Sequence, residues 1–359
     1  MTGSMKNPLD SLLPHIREME GYVPGEQLNT RKYIKLNTNE NPYPPSPDVL
    51  VAIQKQLQRG IEQYPDPLAT SFRLMAASQL GVRPESILCG NGSDDILTIV
   101  TRAFLGTSES LGIPYPSYTL YETLATLEQA NIVFVPFTNE WTVDLRKIND
   151  SKRLKLFYLP NPNSPTGTVL RKEELIDLAE RLPCPLLVDE AYADFTSESA
   201  IDLIEAYPNI MVSRTLSKSY SLAGLRFGYL VATPPLIEQL LKVKDSYNCN
   251  ALSIAAATAA IADQKWFAQN RQKILTQREK FSDELSQLGF EVLPSSANFV
   301  WCSHPAHESQ TLYKRLRENH ILVRYMRYPH WGEGLRITIG TEEQLEALLV
   351  ILRRLCRQK

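Results

Sequence analysis

Through the middle of the chain, short apolar runs alternate with stretches whose apolar residues recur at helical spacing. Lys155–Leu159 (KLFYL), Leu186–Val188 within PLLVDE, and Phe227–Val231 (FGYLV) read as strands. Between the first two, Leu175, Leu178, Ala179 and Leu182 fall at i, i+3, i+4 and i+7, one face of a helix. Ile96, Val100 and Ala103 share such a face earlier in the chain. Strands apolar on both faces and separated by helices predict an α/β fold, a mostly parallel sheet covered on both sides. Ligands of such sheets bind at the carboxyl ends of the strands, so residues just past each apolar run are the first candidates for chemistry.

The two ends of the chain break this rhythm. Prolines and polar residues dominate up to Asn37-Thr38-Asn39-Glu40-Asn41-Pro42, which predicts an extended arm. After about residue 250 the pattern turns helix-rich, with short strands at Asn298–Trp301 and Leu335–Ile339. A last helix carries Leu345, Leu348, Leu349 and Leu352 on one face. The expected division is an arm over 1–34, a large domain over 35–250 and a small domain over 251–359.

Composition narrows the function classes. In 359 residues, 38 basic and 40 acidic side chains give a net charge of −2, which argues against a surface built throughout for nucleic acid. Five scattered cysteines with no C-x-x-C pair point to neither a disulfide framework nor a zinc site, and fit a reducing compartment. The polar N-terminus carries no signal-peptide pattern, and the longest low-polarity stretch, Ala251 to Ala262, is too short for a membrane span. A cytoplasmic protein without a membrane partner is the expectation.

Four segments carry candidate chemistry. In Leu186-Leu187-Val188-Asp189-Glu190-Ala191-Tyr192 an acid ends a buried strand. Such a carboxylate needs a cation or a donor, and a protonated pyridine nitrogen would serve; capping the next helix is the alternative. In Arg214-Thr215-Leu216-Ser217-Lys218-Ser219-Tyr220, a lysine stands beside a hydroxyl, with Arg226 eight residues on. Serine and arginine both bind phosphate oxygens, and a neutral lysine amine forms Schiff bases. Cys89-Gly90-Asn91-Gly92-Ser93-Asp94-Asp95 lies between an apolar strand and a helix, where backbone amides can approach an anion. Position 95 is Asp, so the G-x-G-x-x-G pattern of a dinucleotide-binding dehydrogenase fails. Asn161-Pro162-Asn163-Ser164-Pro165-Thr166-Gly167 follows the KLFYL strand; turn chemistry alone explains its Pro and Gly, and the alternative is an amide that donates to a phenolate-like oxygen.

In this order and spacing, the segments resemble the fold type I aminotransferases. Within them the chain is similar to the histidinol-phosphate aminotransferases almost end to end. Gly21-Tyr22-Val23-Pro24-Gly25, Leu36–Pro42, Tyr64-Pro65-Asp66 and Leu335–Thr341 carry the likeness. The resemblance implies a mostly parallel seven-stranded sheet sandwiched by helices, a smaller α+β domain and pyridoxal 5′-phosphate as cofactor. It implies Lys218 as the internal aldimine, Asp189 on the pyridinium nitrogen, Tyr192 on the ring's phenolic oxygen and Tyr118 stacked on the ring. The cofactor phosphate falls to the amides of Ser93 and Asp94, to Ser217, to Arg226 and to Tyr64 of a neighbouring subunit, so a homodimer is expected. Where many relatives have Asn directly before Pro-Thr-Gly this chain has Ser164; Asn163 is taken as the ring-oxygen partner.

For substrates the resemblance implies glutamate, held through its carboxylate by Arg336, and histidinol phosphate, held by Arg324 and by Tyr22 from the partner's arm. Alternation in Leu335-Arg336-Ile337-Thr338-Ile339 independently turns Arg336 away from the apolar face. Arg327 competes with Arg324 for the phosphate. An aromatic amino acid aminotransferase and a threonine-phosphate decarboxylase share the scaffold and stand as rivals; a cofactor-sensing regulator would need a DNA-binding domain for which the short arm leaves no room. His304-x-x-His307 has no third histidine or acid in register and reads as a surface pair rather than a metal site.

Overall fold

The computed structural model describes residues 7–27, 32–144, 146 and 153–357. Seven strands form the central sheet: Ile87–Gly90 (β1), Ser110–Tyr115 (β2), Asn131–Pro136 (β3), Leu154–Pro160 (β4), Leu186–Asp189 (β5), Ile210–Thr215 (β6) and Gly228–Val231 (β7). Their order is β1-β7-β6-β5-β4-β2-β3, and only β7 runs antiparallel to its neighbours. The predicted α/β sheet is therefore present, with the three expected apolar runs at β4, β5 and β7. Apart from the exposed Lys155, their residues are buried on both faces because apolar helices cover both sides.

Helix faces follow the sequence pattern with one change. Leu175, Leu178 and Ala179 are buried on the helix Lys172–Arg181. On the helix Ser93–Phe104, Ala103 is exposed, and the buried face is Ile96, Leu97, Ile99, Val100 and Thr101. Thr101 can sit in the core because its hydroxyl pairs with Tyr158 Oη at 2.7 Å and with Leu97 O at 2.7 Å.

A second core lies around a four-stranded antiparallel sheet, in the order Arg324–Tyr328, Gly332–Thr338, Phe299–Ser303, Glu291–Val292. The helix Gln264–Gln287 and the last helix, Glu342–Arg357, supply Ile274, Phe281, Leu285, Leu345, Leu348, Leu349 and Leu352 to it. Two sets of contacts cross the expected division of the chain. The helix Ala251–Ala262 buries Ile254, Ala256, Ala257, Ala260 and Ile261 in the core of the seven-stranded unit. At the other end, Ile34–Lys35 pairs in parallel with Ile321–Leu322, and Leu36 joins the second core.

Candidate active site

Because β7 alone is reversed, the carboxyl ends of β1, β2, β4, β5 and β6 share one edge with the amino end of β7. The segments singled out in sequence all leave the sheet there. One cavity at this edge is lined by Ser93, Asp94, Tyr118, Tyr121, Ser164, Asp189, Tyr192, Ser217, Lys218 and Arg226 from the seven-stranded unit. Its other wall consists of Tyr22, Gly25, Asn37, Thr38 and Asn39 together with Arg324, Met326, Tyr328 and Arg336.

Asp189 ends β5 fully enclosed. Its carboxylate accepts hydrogen bonds from Tyr121 Oη at 2.7 Å and Ser213 Oγ at 2.9 Å. Burial pushes its pKa up, and these donors pull it back only in part. The short helix that follows, Ala193–Phe195, has Tyr192 as its cap residue, so capping does not explain the acid. Tyr192 accepts a bond from Asn39 Nδ2 at 2.9 Å. Tyr118 stands edge-on to Tyr22 at 5.8 Å and to Tyr121 at 5.5 Å between ring centroids.

Lys218 lies in the loop after β6, with Nζ donating to Thr38 O at 3.1 Å and 5.9 Å from the Tyr192 ring centroid. Burial first, then the guanidinium of Arg336, lowers its pKa to about 8. This is the direction a nucleophilic amine requires.

The anion end of the cavity is built by close approach. Gly92 precedes the helix Ser93–Phe104 at φ 89°, and a Cβ there would lie 2.5 Å from Arg226 Nη2. A Cβ on Gly228 would lie 2.5 Å from the Ser93 nitrogen. Both glycines thus let a helix N-terminus and an arginine converge. Arg226, held at φ 52°, donates to Ser217 Oγ at 3.3 Å and to Asp94 Oδ2 at 3.1 Å.

Arg324 and Arg336 face each other across the antiparallel ladder. Like charges directly opposite repel, so the sheet keeps this pair against a cost. Arg336 donates to Ser164 Oγ at 3.0 Å and Asn37 O at 3.2 Å, while its buried Nε has no partner among the described residues. Leu335, Ile337 and Ile339 are fully buried on the opposite face, as the alternation predicted. The same pleat turns Arg324, Met326 and Tyr328 to the cavity; Arg327 is exposed opposite Glu333 and does not line it.

Asn163 is fully buried, its amide donating to Thr166 Oγ1 at 2.8 Å and Pro116 O at 3.2 Å; it braces its own turn, and the neighbouring Ser164 lines the cavity instead. This chain's own Tyr22 lines the cavity. The arm folds back because Arg324 donates to Val23 O at 3.2 Å and Pro24 O at 3.3 Å, and Arg317 pairs with Glu26 at 2.7 Å. Tyr64 is 80% exposed, stacked on Tyr247 at 4.4 Å, and outside this cavity. Sequence reasoning missed Tyr121, Asn39, Met326 and Tyr328. Of these, only Tyr121, three residues after Tyr118, had a local signal. At the far side of the small sheet, Cys356 lies beside His304 and His307. His304 Nδ1 accepts from Ala306 N–H and Nε2 lies 3.2 Å from Leu288 O, so neither ring nitrogen is left for a metal.

The donor set fits pyridoxal phosphate. A glycine-lined helix N-terminus with Ser217 and Arg226 suits the phosphate, a buried acid suits a ring cation, and a lysine with a depressed pKa suits an aldehyde. Comparison with known proteins agrees. The family model for class I and II aminotransferases matches residues 31–352. A histidinol-phosphate aminotransferase of Rhodopirellula baltica is 52% identical over 95% of this chain and 94% of its own length. One from Geobacter sp. (strain M21) is 44% identical over 96% and 98%. The crystal structure of histidinol-phosphate aminotransferase from Sinorhizobium meliloti in complex with pyridoxal-5′-phosphate superposes with a TM-score of 0.88 at 26% identity, covering 96% of this chain and 97% of that one. The chain belongs to the class I and II aminotransferases, in the group of the histidinol-phosphate aminotransferases.

Proposed function

We propose that this chain transfers the amino group of L-glutamate to imidazole acetol phosphate, giving L-histidinol phosphate in histidine biosynthesis, with pyridoxal 5′-phosphate as cofactor. The 52% identity to a relative of that name supports the reading. The observation that carries the substrate choice is the facing pair Arg324 and Arg336, whose mutual repulsion a dianionic phosphate relieves. Bound, the cofactor supplies an aldehyde that accepts the amino group and a ring that draws electrons from the substrate Cα.

The chain's own residues do the rest. Lys218 holds the cofactor covalently and, once displaced, moves the proton at the substrate Cα. Asp189 keeps the ring nitrogen protonated; Tyr121 and Ser213 hold its carboxylate in place. Tyr192 binds the ring oxygen, and Tyr118 covers the ring. The amides of Ser93 and Asp94, Ser217 and Arg226 bind the cofactor phosphate. Arg336 takes the glutamate carboxylate, and Arg324 with Tyr22 takes the phosphate of the other substrate.

The exposed Tyr64, beside a groove walled by the helices Pro47–Arg59, Thr70–Leu80 and Ala251–Ala262, fits a residue that serves a second copy's cofactor. The working unit in this reading is a homodimer. Among the described residues no helix is long and apolar enough to cross a membrane.

A spectroscopic titration tests the proposal. Purified protein loaded with pyridoxal phosphate is yellow, and histidinol phosphate bleaches the band. Ready bleaching by phenylalanine with none by histidinol phosphate would overturn the substrate assignment.

A further inference from the structure

Alternation along β5 and β6 sends Asp189 and Ser213 to the cofactor side, and their neighbours Glu190 and Arg214 to the other. There Arg214 is gripped by two acids. Nε donates to Glu190 Oε2 at 2.8 Å and Nη1 to Asp194 Oδ1 at 2.9 Å; Glu190 is wholly buried and its partners nearly so. Asp194's second oxygen accepts from Ser219 Oγ. Ser219 directly follows Lys218, is itself buried, and its carbonyl accepts from Asn41 Nδ2 at 2.9 Å. None of these side chains lines the cavity.

We propose that Arg214 and Asp194 are positioning residues. Their ion pair clamps Ser219, and so fixes the backbone of Lys218 relative to the strand that carries Asp189. The two groups that must meet one cofactor from different elements, the acid and the lysine, are thereby set by one buried network. Buried networks of this kind hold geometry tightly when every member is satisfied, and effects of a misplaced reacting group are steep. Ser219→Ala is the least invasive break, since Arg214 keeps both acids. The inference rests on the reading of Lys218 given above.

The test uses the full-length protein stripped of cofactor, with two probes. Borohydride trapping of pyridoxal phosphate reports the lysine; equilibrium binding of pyridoxamine phosphate, which has no aldehyde, reports the rest of the pocket. Ser219→Ala is expected to slow trapping about tenfold while pyridoxamine phosphate binds unchanged, and Ser219→Thr restores the rate. Asp194→Asn slows trapping in the same selective way, or unfolds, in which case Ser219→Ala decides. Equal trapping by Ser219→Ala and the unaltered protein overturns the inference, as does a parallel loss of pyridoxamine phosphate affinity, which marks a general loosening. If the unaltered protein is not trapped at Lys218, the assigned function falls first and takes this inference with it.

Discussion

Arg324→Met separates the two substrates. Methionine keeps most of the stem's contact with the strand and removes the guanidinium, leaving Arg336 as the only arginine among the described residues that lines that wall of the cavity. Losing the charge-assisted bonds to a phosphate costs about 2–3 kcal/mol, or ~30–150-fold in KM for histidinol phosphate. The glutamate half-reaction, which uses Arg336, is expected to keep its rate and KM. Stability changes little because two effects oppose. The variant loses bonds to Val23 O and Pro24 O at 3.2 and 3.3 Å, and relieves a facing like-charge pair worth roughly 0.2–1 kcal/mol. Single-turnover bleaching of the bound cofactor by each substrate reads the two half-reactions separately, and calorimetry reads the melting temperature. Equal losses for both substrates, or a loss confined to glutamate, would refute the division of labour between the two arginines.

Other perturbations bear on the cofactor end. The lowered Lys218 pKa of about 8 makes the rate of covalent capture by cofactor-free protein rise with pH to a plateau above about 8; a midpoint near the ordinary lysine value would contradict it. For stability the sign is the same. The folded state binds fewer protons than the unfolded one, so the penalty of the buried amine is full below about 8 and fades as pH rises toward 10.5. Tyr121→Phe removes one of two side-chain donors on the buried Asp189 carboxylate, worth about 1.5–3 kcal/mol, and should raise the dissociation constant of pyridoxamine phosphate ~10–100-fold by fluorescence titration. Gly228→Ala drives a Cβ against the Ser93 nitrogen; a melting temperature lowered by about 1–3 kcal/mol equivalent and a weakened phosphate site are expected, and wild-type cofactor retention would count against the close-approach argument.

What sequence revealed depended on range. The strands that end in Asp189 and open toward Lys218 were legible because burial pattern and chemistry sit in the same few residues. The pleat of Leu335–Ile339 likewise turned Arg336 correctly from alternation alone. Ala103 was misplaced because a threonine whose hydroxyl is bonded to Tyr158 passes as a core residue, which a hydrophobic pattern does not register. Only the folded turn shows Thr166 Oγ1 and Pro116 O accepting from the Asn163 amide. The facing of Arg324 and Arg336 needed the hairpin register, and the return of Tyr22 needed contacts spanning about three hundred residues.

Those long spans also set a schedule. Ile34 pairs with Ile321, Asn39 Nδ2 reaches Tyr192, and the Arg336 guanidinium rests on Asn37 O. At roughly 5–20 residues per second, the ribosome needs about 15–60 s after making Ile34 to deliver its partner strand. In that interval the seven strands, complete by Val231, can form while the arm has nothing to pair with. The strands that carry Arg324 and Arg336 are therefore made long after the sheet, and a nascent chain stalled before Ile321 would carry Asp189, Lys218 and Arg226 with neither of those arginines.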